Sequence, residues 1–500
     1  MKIIFVHQGR ENLGIEYLSA VLKRDGHQVA LACDSGLFGL TDNVFYIPSL
    51  EKIFSEKERV IKKIVDFSPD LVGFSVYTDS YRWCCDIARA VERKIDAKIV
   101  FGGIHPTLVP EKVIENNFVD FVVVGEGEEA FPELVESLSS GRPSQNIQNV
   151  WIKQNGRIIE NAVRKPIADI DQLPYPDKAA FEEFINYRDD YIILTSRGCV
   201  FSCSYCCESY MNKLYSGRFF RRRSVNSVIA ELRFMKEKYD FREVMFNDSI
   251  FFTDKVWLRE LLQRYKNEIG VSFRCFGNIR YLDEEIAELL KWTGCYAIEF
   301  GLQTINEDIR MNVLNRFETQ YQCKKAFKIC DKFKLRYDID HMFGLPGEKI
   351  EDFKQAAEFY SQLRYLNRIK CHNLTYFPKM RIVEIARSHN ILTDREIEDI
   401  AGGRIGDFFH LDSIKDFRLK RMKENFQTLY KILPILSPGM VGYILRRQIY
   451  QKLHLLPSII VIFLQILVAI KGKDYRFLLY FKNYPRQVMK KTVRMIKSGF

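Results

Sequence analysis

Two series of short apolar runs alternate with helical patterns along this chain, and that alternation limits its fold more than any other feature. In the first 140 residues the runs are Ile3–Val6, Gln28–Ala32, Leu71–Ser75, Ile99–Phe101 and Phe121–Val124, with helical patterns at Gly14–Asp25, Ser80–Lys94 and Ala130–Leu138. Strands that are apolar on both faces and separated by helices predict a parallel sheet covered on each side. That is a doubly wound α/β domain of the Rossmann or flavodoxin-like type. The second series is Tyr191–Thr195, Glu243–Asn247, Ser272–Phe276, Ala297–Phe300, Asp338–Phe343 and Asn373–Phe377. Helices at Asn226–Tyr239, Trp257–Asn267, Asp283–Lys291 and Gln320–Phe333 separate these runs. Six such units predict a partial (β/α)6 barrel, open on one side. Residues 145–188 hold Pro166, Pro174 and Pro176 and read as a connector with a small β-element near Val150–Glu160. The expected division is 1–144, 145–188, 189–400 and a mainly helical 401–500.

Composition narrows the class. A chain of 500 residues that is 47% hydrophobic and 28% charged is neither disordered nor a multi-span membrane protein. Met1–Val6 runs straight into a strand without a signal peptide, and twelve cysteines are too sparse for a secreted disulfide scaffold. A reducing cytoplasm is expected. Four of the cysteines, Cys199, Cys203, Cys206 and Cys207, crowd into nine residues directly after a strand. Three thiolates spaced Cys199-x3-Cys203-x2-Cys206 suit three irons of a [4Fe–4S] cluster and leave the fourth iron open to a ligand. A structural zinc site is the alternative; it wants four ligands, and the adjacent Cys207 is a poor fourth because neighbouring cysteines rarely bind one zinc together.

In open α/β sheets, ligands sit beyond the carboxyl ends of the strands. Two glycine-rich loops fall there: Gly102-Gly103-Ile104-His105-Pro106-Thr107 and Gly125-Glu126-Gly127-Glu128. Glycine lets backbone approach a bulky ligand, and it serves a tight strand-to-helix turn equally well.

The cysteine spacing, with Tyr205 just before Cys206, resembles the signature of the radical S-adenosylmethionine (radical SAM) superfamily. The run Leu13-Gly14-Ile15-Glu16-Tyr17-Leu18 through Asp25-Gly26-His27, with the two glycine loops, resembles the cobalamin-binding domain fused to such enzymes. The likeness extends from residue 1 to about 400 and leaves the tail outside. It implies a [4Fe–4S] cluster whose open iron is chelated by S-adenosylmethionine, and reductive cleavage to a 5′-deoxyadenosyl radical in a water-poor cavity. It implies S-adenosylmethionine contacts at Tyr205, Asn247, Asp248, Arg280, Gln303 and Gly344. Asn247 and Asp248 would meet the amino group and Arg280 the carboxylate. Gln303 stands where an acid is common, facing a ribose hydroxyl, and Gly344 opens the loop along the adenine. Arg221-Arg222-Arg223-Ser224 and Glu231 fit the same pattern, whereas Phe377-Pro378-Lys379-Met380 departs from a Pro-Gly-Thr loop. Implied cobalamin contacts are Leu13, Gly14, Gly102, Gly103, His105, Gly125, Glu126 and Gly127. No Asp-x-His-x-x-Gly motif supplies a cobalt ligand, so His7 and His105 read as loop or turn residues. The implied activity is methylation of an unactivated carbon, with cobalamin carrying the methyl group and flavodoxin or ferredoxin supplying electrons. Radical cyclisation or rearrangement, as in enzymes that build the fifth ring of bacteriochlorophyll, is the alternative. A non-catalytic cobalamin or redox sensor is the alternative of another class.

The charge is concentrated in the tail. Residues 418–500 carry 17 Lys/Arg and two acids, a net of +15, while the rest of the chain is at −4. Leu455–Ile470 is a 16-residue apolar stretch broken by Pro457 and Gln465, short of the ~20 residues that span a bilayer. Arg446, Arg447 and Lys452 precede it, and Lys471, Lys473 and Arg476 follow. This suits a peripheral helix on anionic lipid or the buried helix of a cap. Nucleic acid is disfavoured, because no binding module is recognisable. A lipid or isoprenoid-like substrate, or a peptide or antibiotic precursor, is left open.

Overall fold

Seven strands form the first sheet: β1 (Lys2–Gln8), β2 (Gln28–Asp34), β3 (Leu71–Ser75), β4 (Lys98–Gly102), β5 (Phe121–Val123), β6 (Val150–Gln154) and β7 (Arg157–Ile159). The computed structural model describes residues 1–38, 48–141, 145–215, 219–404 and 417–497. The strand order is β2-β1-β3-β4-β5-β6-β7, with β1 to β5 parallel. The order of those five is the flavodoxin-like one. The hairpin β6–β7, contributed by the connector, adds antiparallel strands to the β5 edge, so the sheet is mixed rather than purely parallel. Both faces are covered, as the apolar runs require. Ile4 and Val6 of β1 pack with Ile64 of helix Lys57–Phe67 and with Ile87 and Val91 of helix Tyr81–Glu92. On the other face Phe5 meets Phe131 of helix Ala130–Ser139 at 5.6 Å between ring centres. Each such buried side chain contributes about 1.5–3 kcal/mol.

The second sheet is wholly parallel: β8 (Tyr191–Ile193), β11 (Glu243–Phe246), β12 (Ser272–Gly277), β13 (Cys295–Gln303), β14 (Tyr337–Phe343) and β15 (Leu366–Asn373), in sequential order from β8 to β15. This is the expected six-stranded partial barrel. The short strands β9 (Ser196–Arg197) and β10 (Arg221–Arg222) flank the cysteine loop. The sixth strand is not where the apolar run placed it. It ends at Asn373, and Leu374–Phe377 lies beyond it. The segment Leu366–Asn373 hides its strand character because Arg368, Lys370 and His372 occupy alternate positions, facing the barrel lumen.

The lumen carries charge throughout. Arg274 pairs with Asp190 (2.9 Å) and Glu243 (3.2 Å), Lys370 pairs with Glu299, and His372 Nε2 lies 3.5 Å from Asp340. Arg476, from the C-terminal helix Tyr475–Lys497, binds Asp338 at 2.5 Å and Asp474 at 3.0 Å. Arg368 bridges the same two carboxylates at 3.2 and 3.3 Å. Met245, Arg274, Phe276, Glu299, Asp338 and Arg476 line a small cavity there. The tail is therefore part of the barrel and not an appendage to it. Among the described residues no single helix is long and apolar enough to cross a membrane.

By contact density the chain forms two compact units that are not continuous segments. One comprises the described residues of Met1–Tyr187, Arg197–Ser224 and Thr375–Phe408; the other those of Arg188–Ser196, Val225–Leu374 and Phe409–Phe500.

Candidate active site

The cysteine loop belongs to the first unit, with the seven-stranded sheet. Cys203 is buried, and Cys199, Cys206 and Cys207 are partly exposed. Cys206, extended at φ −99°, is the N-cap of helix Cys207–Leu214. Asn212 of that helix donates through Nδ2 to the Cys199 carbonyl at 2.9 Å, closing the loop on itself. Burial pushes the Cys206 thiol far above its ordinary range and that of Cys207 up to about 12. Among the described residues no three His, Cys, Asp or Glu side chains stand close enough to hold a metal ion; as iron ligands the three cysteines would bind as thiolates.

Ion pairs tie this loop to the sheet. Arg197, just before Cys199, pairs with Glu128 at 2.5 Å and Glu126 at 3.5 Å. Arg221, beyond the loop helix, grips Glu126 with two bonds of 2.6 and 2.9 Å. The Ile167 N–H adds a third at 3.0 Å, and these partners hold the Glu126 carboxyl below its usual range despite burial. The Glu126 carboxylate is thus engaged by the two arginines that flank the cysteine loop. Tyr215 accepts from the Glu126 N–H at 2.6 Å and lies so close to Gly125, at φ +82°, that a Cβ there would sit 2.3 Å from its hydroxyl.

At the carboxyl edge of the sheet, Asn12 caps helix Leu13–Arg24 and donates to Ser75 at the end of β3. Gly14 and Gly103 are exposed, and Leu13, Gly102, Gly125 and Gly127 are partly so. Gly103 adopts φ +101°, and a Cβ would meet the Val76 backbone nitrogen at 2.9 Å and oxygen at 3.0 Å. Gly103→Ala is expected to cost about 2–3 kcal/mol of stability and to weaken cobalamin retention, because neither backbone atom can yield. Urea unfolding and cobalamin titration check this; wild-type retention would remove the turn from the cofactor site. His105 is a correction. Its ring is fully buried, tilted against Tyr81 with ring centres 4.3 Å apart and Nδ1 3.2 Å from the Thr78 hydroxyl, and burial pushes its pKa down to about 3. It packs inside a short helix, Ile104–Leu108, and offers no surface to a corrin. His7, at the end of β1, is likewise buried and is held down to about 4, so neither histidine is a loop residue.

The remaining predicted positions lie in the second unit. Asn247 follows β11, on the lumen side of Glu243 and Met245, and its N–H donates to the Ile193 carbonyl. Asp248 is fully buried, accepting from the Thr195 N–H (2.9 Å) and from the Thr195 and Ser196 hydroxyls (3.0 and 2.5 Å). It fixes the turn that leads into the cysteine loop and is not open to an ammonium group. Arg280 is exposed, and its N–H donates to the Asn278 side chain. Gln303 is held at φ +67° past an irregularity between Gly301 and Gln303, is 7% exposed, and its Oε1 has no partner. Gly344, at φ +87°, donates to Glu348, whose carboxyl is pushed by burial up to about 7, with Lys423 at 3.7 Å. In Pro378-Lys379-Met380, Lys379 takes a left-handed φ of +60°, which glycine adopts freely, and pairs with Glu111 at 2.8 Å.

Residues 7–135 match the B12 binding domain family, and residues 193–360 match the Radical SAM superfamily. This chain joins a cobalamin-binding domain to a radical SAM domain. An uncharacterised methyltransferase of Pyrococcus horikoshii is 29% identical over 388 residues, 76% of this chain and 79% of its own length. The fold is shared with the radical S-adenosylmethionine methyltransferase TsrM of Kitasatospora setae, solved with cobalamin and a [4Fe–4S] cluster bound. That match has a TM-score of 0.62 at 20% identity, covering 77% of this chain and 75% of TsrM. The cobalamin-dependent S-adenosylmethionine radical enzyme OxsB matches with a TM-score of 0.65 at 14% identity, over 100% of this chain and 81% of its own. The C-terminal region therefore lies within a shared fold, contrary to the expectation that the likeness stops near residue 400.

The residues present fit the cofactors of these domains: cobalamin for the first, and S-adenosylmethionine with a [4Fe–4S] cluster for the second. The radical SAM domain offers three thiols in one short loop and, in Gln303, a buried acceptor oxygen left for a hydroxyl donor. The cobalamin-binding domain offers exposed glycine backbone at Gly14 and Gly103.

Proposed function

We propose that the protein is a cobalamin-dependent radical SAM methyltransferase acting on an unactivated carbon of a small molecule. The observation that carries this reading is the ionic lattice of Arg197 and Arg221 on Glu126 and Glu128. It fastens the chain on both sides of the cysteine loop to the turn at the carboxyl edge of the cobalamin-binding sheet, inside one compact unit. When bound, the cluster with S-adenosylmethionine supplies hydrogen abstraction, and cobalamin supplies the methyl group. Cys199, Cys203 and Cys206 are the iron ligands in this proposal. Asn247, Arg280, Gln303, Gly344 and Tyr205 orient S-adenosylmethionine, and Leu13, Gly14, Gly102, Gly103, Gly125 and Gly127 offer backbone to cobalamin. Asp248 acts through the Thr195–Ser196 turn as a positioning residue. Lys370 with Glu299, and His372 with Asp340, favour a substrate bearing polar groups. A cytoplasmic reductant of the flavodoxin or ferredoxin type completes the reaction.

The test is anaerobic reconstitution with iron, sulfide and cobalamin, followed by reduction and mass spectrometry of the S-adenosylmethionine products. Both 5′-deoxyadenosine and S-adenosylhomocysteine are expected. 5′-Deoxyadenosine alone would shift the reading to cyclisation or rearrangement, and neither product would make the protein a non-catalytic sensor.

A further inference from the structure

The helix Ser458–Gly472 has two unlike faces. Val468, Ala469 and Gly472 are buried on the side that packs against β15 and helix Phe417–Ile432, with Gly472 tight against Asn367 of β15. At 100° per residue, Ile459, Ile460, Phe463, Leu467 and Ile470 fall within an arc of about 100° on the opposite side. They are exposed by 71, 43, 58, 38 and 57%, and Leu455 just ahead of the helix by 68%. A continuous apolar strip facing water marks a contact surface. Its surroundings say what it contacts. Lys452 lies before the helix and Lys471 and Lys473 at its end, with Arg446 and Arg447 upstream, all exposed. From Asn425 onward the only acidic side chain is Asp474, and that is buried against Arg476 and Arg368. Every charged side chain this region turns to water is a cation.

We propose that this face docks on the surface of a bilayer containing anionic phospholipid. A 15-residue helix is about 22 Å long, less than a hydrocarbon core, and its other face is committed to the barrel. The preceding helical segment Ile449–Leu455 meets it at 113°. The helix therefore lies in the interface, its apolar strip entering the acyl boundary while lysines and arginines meet headgroup phosphates. A protein groove or a second copy would accept the strip, but neither calls for a rim that is cationic alone.

Co-sedimentation of the full-length chain with vesicles of phosphatidylglycerol and phosphatidylcholine tests this, comparing wild type with the triple variant Ile459→Ser, Phe463→Ser, Ile470→Ser. The substituted side chains are exposed, so the variant keeps its circular dichroism and its 5′-deoxyadenosine formation in vesicle-free buffer. The docking result is thereby separate from the proposed activity. Wild type is expected on anionic vesicles, with partitioning falling about tenfold or more in the variant and on pure phosphatidylcholine, and weakening with salt. Equal partitioning of variant and wild type, indifference to headgroup charge, or wild type left in the supernatant would overturn the proposal. A concentration-dependent dimer in sedimentation velocity that the triple variant abolishes would assign the face to a second copy instead.

Discussion

Replacing Arg476 by alanine is expected to destabilise the barrel by about 3–5 kcal/mol, because it leaves a buried carboxylate short of its counter-charge. Asp338 is 1% exposed, and Arg476, Arg368 and Lys370 together hold its carboxyl well below the usual carboxylate range. A depressed acid contributes stability above its unfolded pKa of about 3.9 and loses it as pH falls toward the folded value. With Arg476 gone, the folded value rises and the acid limb of the stability profile moves to higher pH. Urea unfolding of wild type and variant at pH 7 and pH 5 reads both effects. Arg476→Lys should retain part of the stability, since it keeps a charge and loses the two-pronged fit to Asp338 and Asp474. Stability within 1 kcal/mol of wild type for the alanine variant would show that the tail does not hold the barrel.

Alanine at Cys199, Cys203 and Cys206 together is expected to bring iron and sulfide to background and to end S-adenosylmethionine cleavage, while Cys207→Ala keeps both. Each lost thiolate removes one iron ligand. Iron analysis and the absorption spectrum after anaerobic reconstitution decide it. A full cluster in the triple variant would move the ligands elsewhere, and loss of the cluster in Cys207→Ala would add a fourth thiolate and close the open iron.

What could be read in the sequence was local. The cysteine loop is a matter of spacing, and β1 to β5 are apolar runs whose burial on both faces leaves no other reading. The lumen was harder. Arg368, Lys370 and His372 alternate with Asn367, Ile369 and Cys371, a period-two pattern of charge that marks a strand lining a polar channel, but an apolar criterion passes over it. Arg476 and Asp338 are 138 residues apart, and nothing local pairs them. From the sequence, Arg476 belonged with the flanking surface cations. Glu126 and His105 fell within glycine loops and were read with them as cofactor contacts. Only the fold shows that one faces two arginines and the other is sealed beneath Tyr81. The left-handed backbone of Gln303 has no signature in its residue type.

The interleaving of the two compact units bears on how this protein can be recombined. The chain passes between them five times, so no single cut leaves either one whole. A chimera that exchanges the cobalamin-binding half for a relative's must carry residues 197–224 and 375–404 with it, or Glu126 and Glu128 will lose the arginines they were matched to.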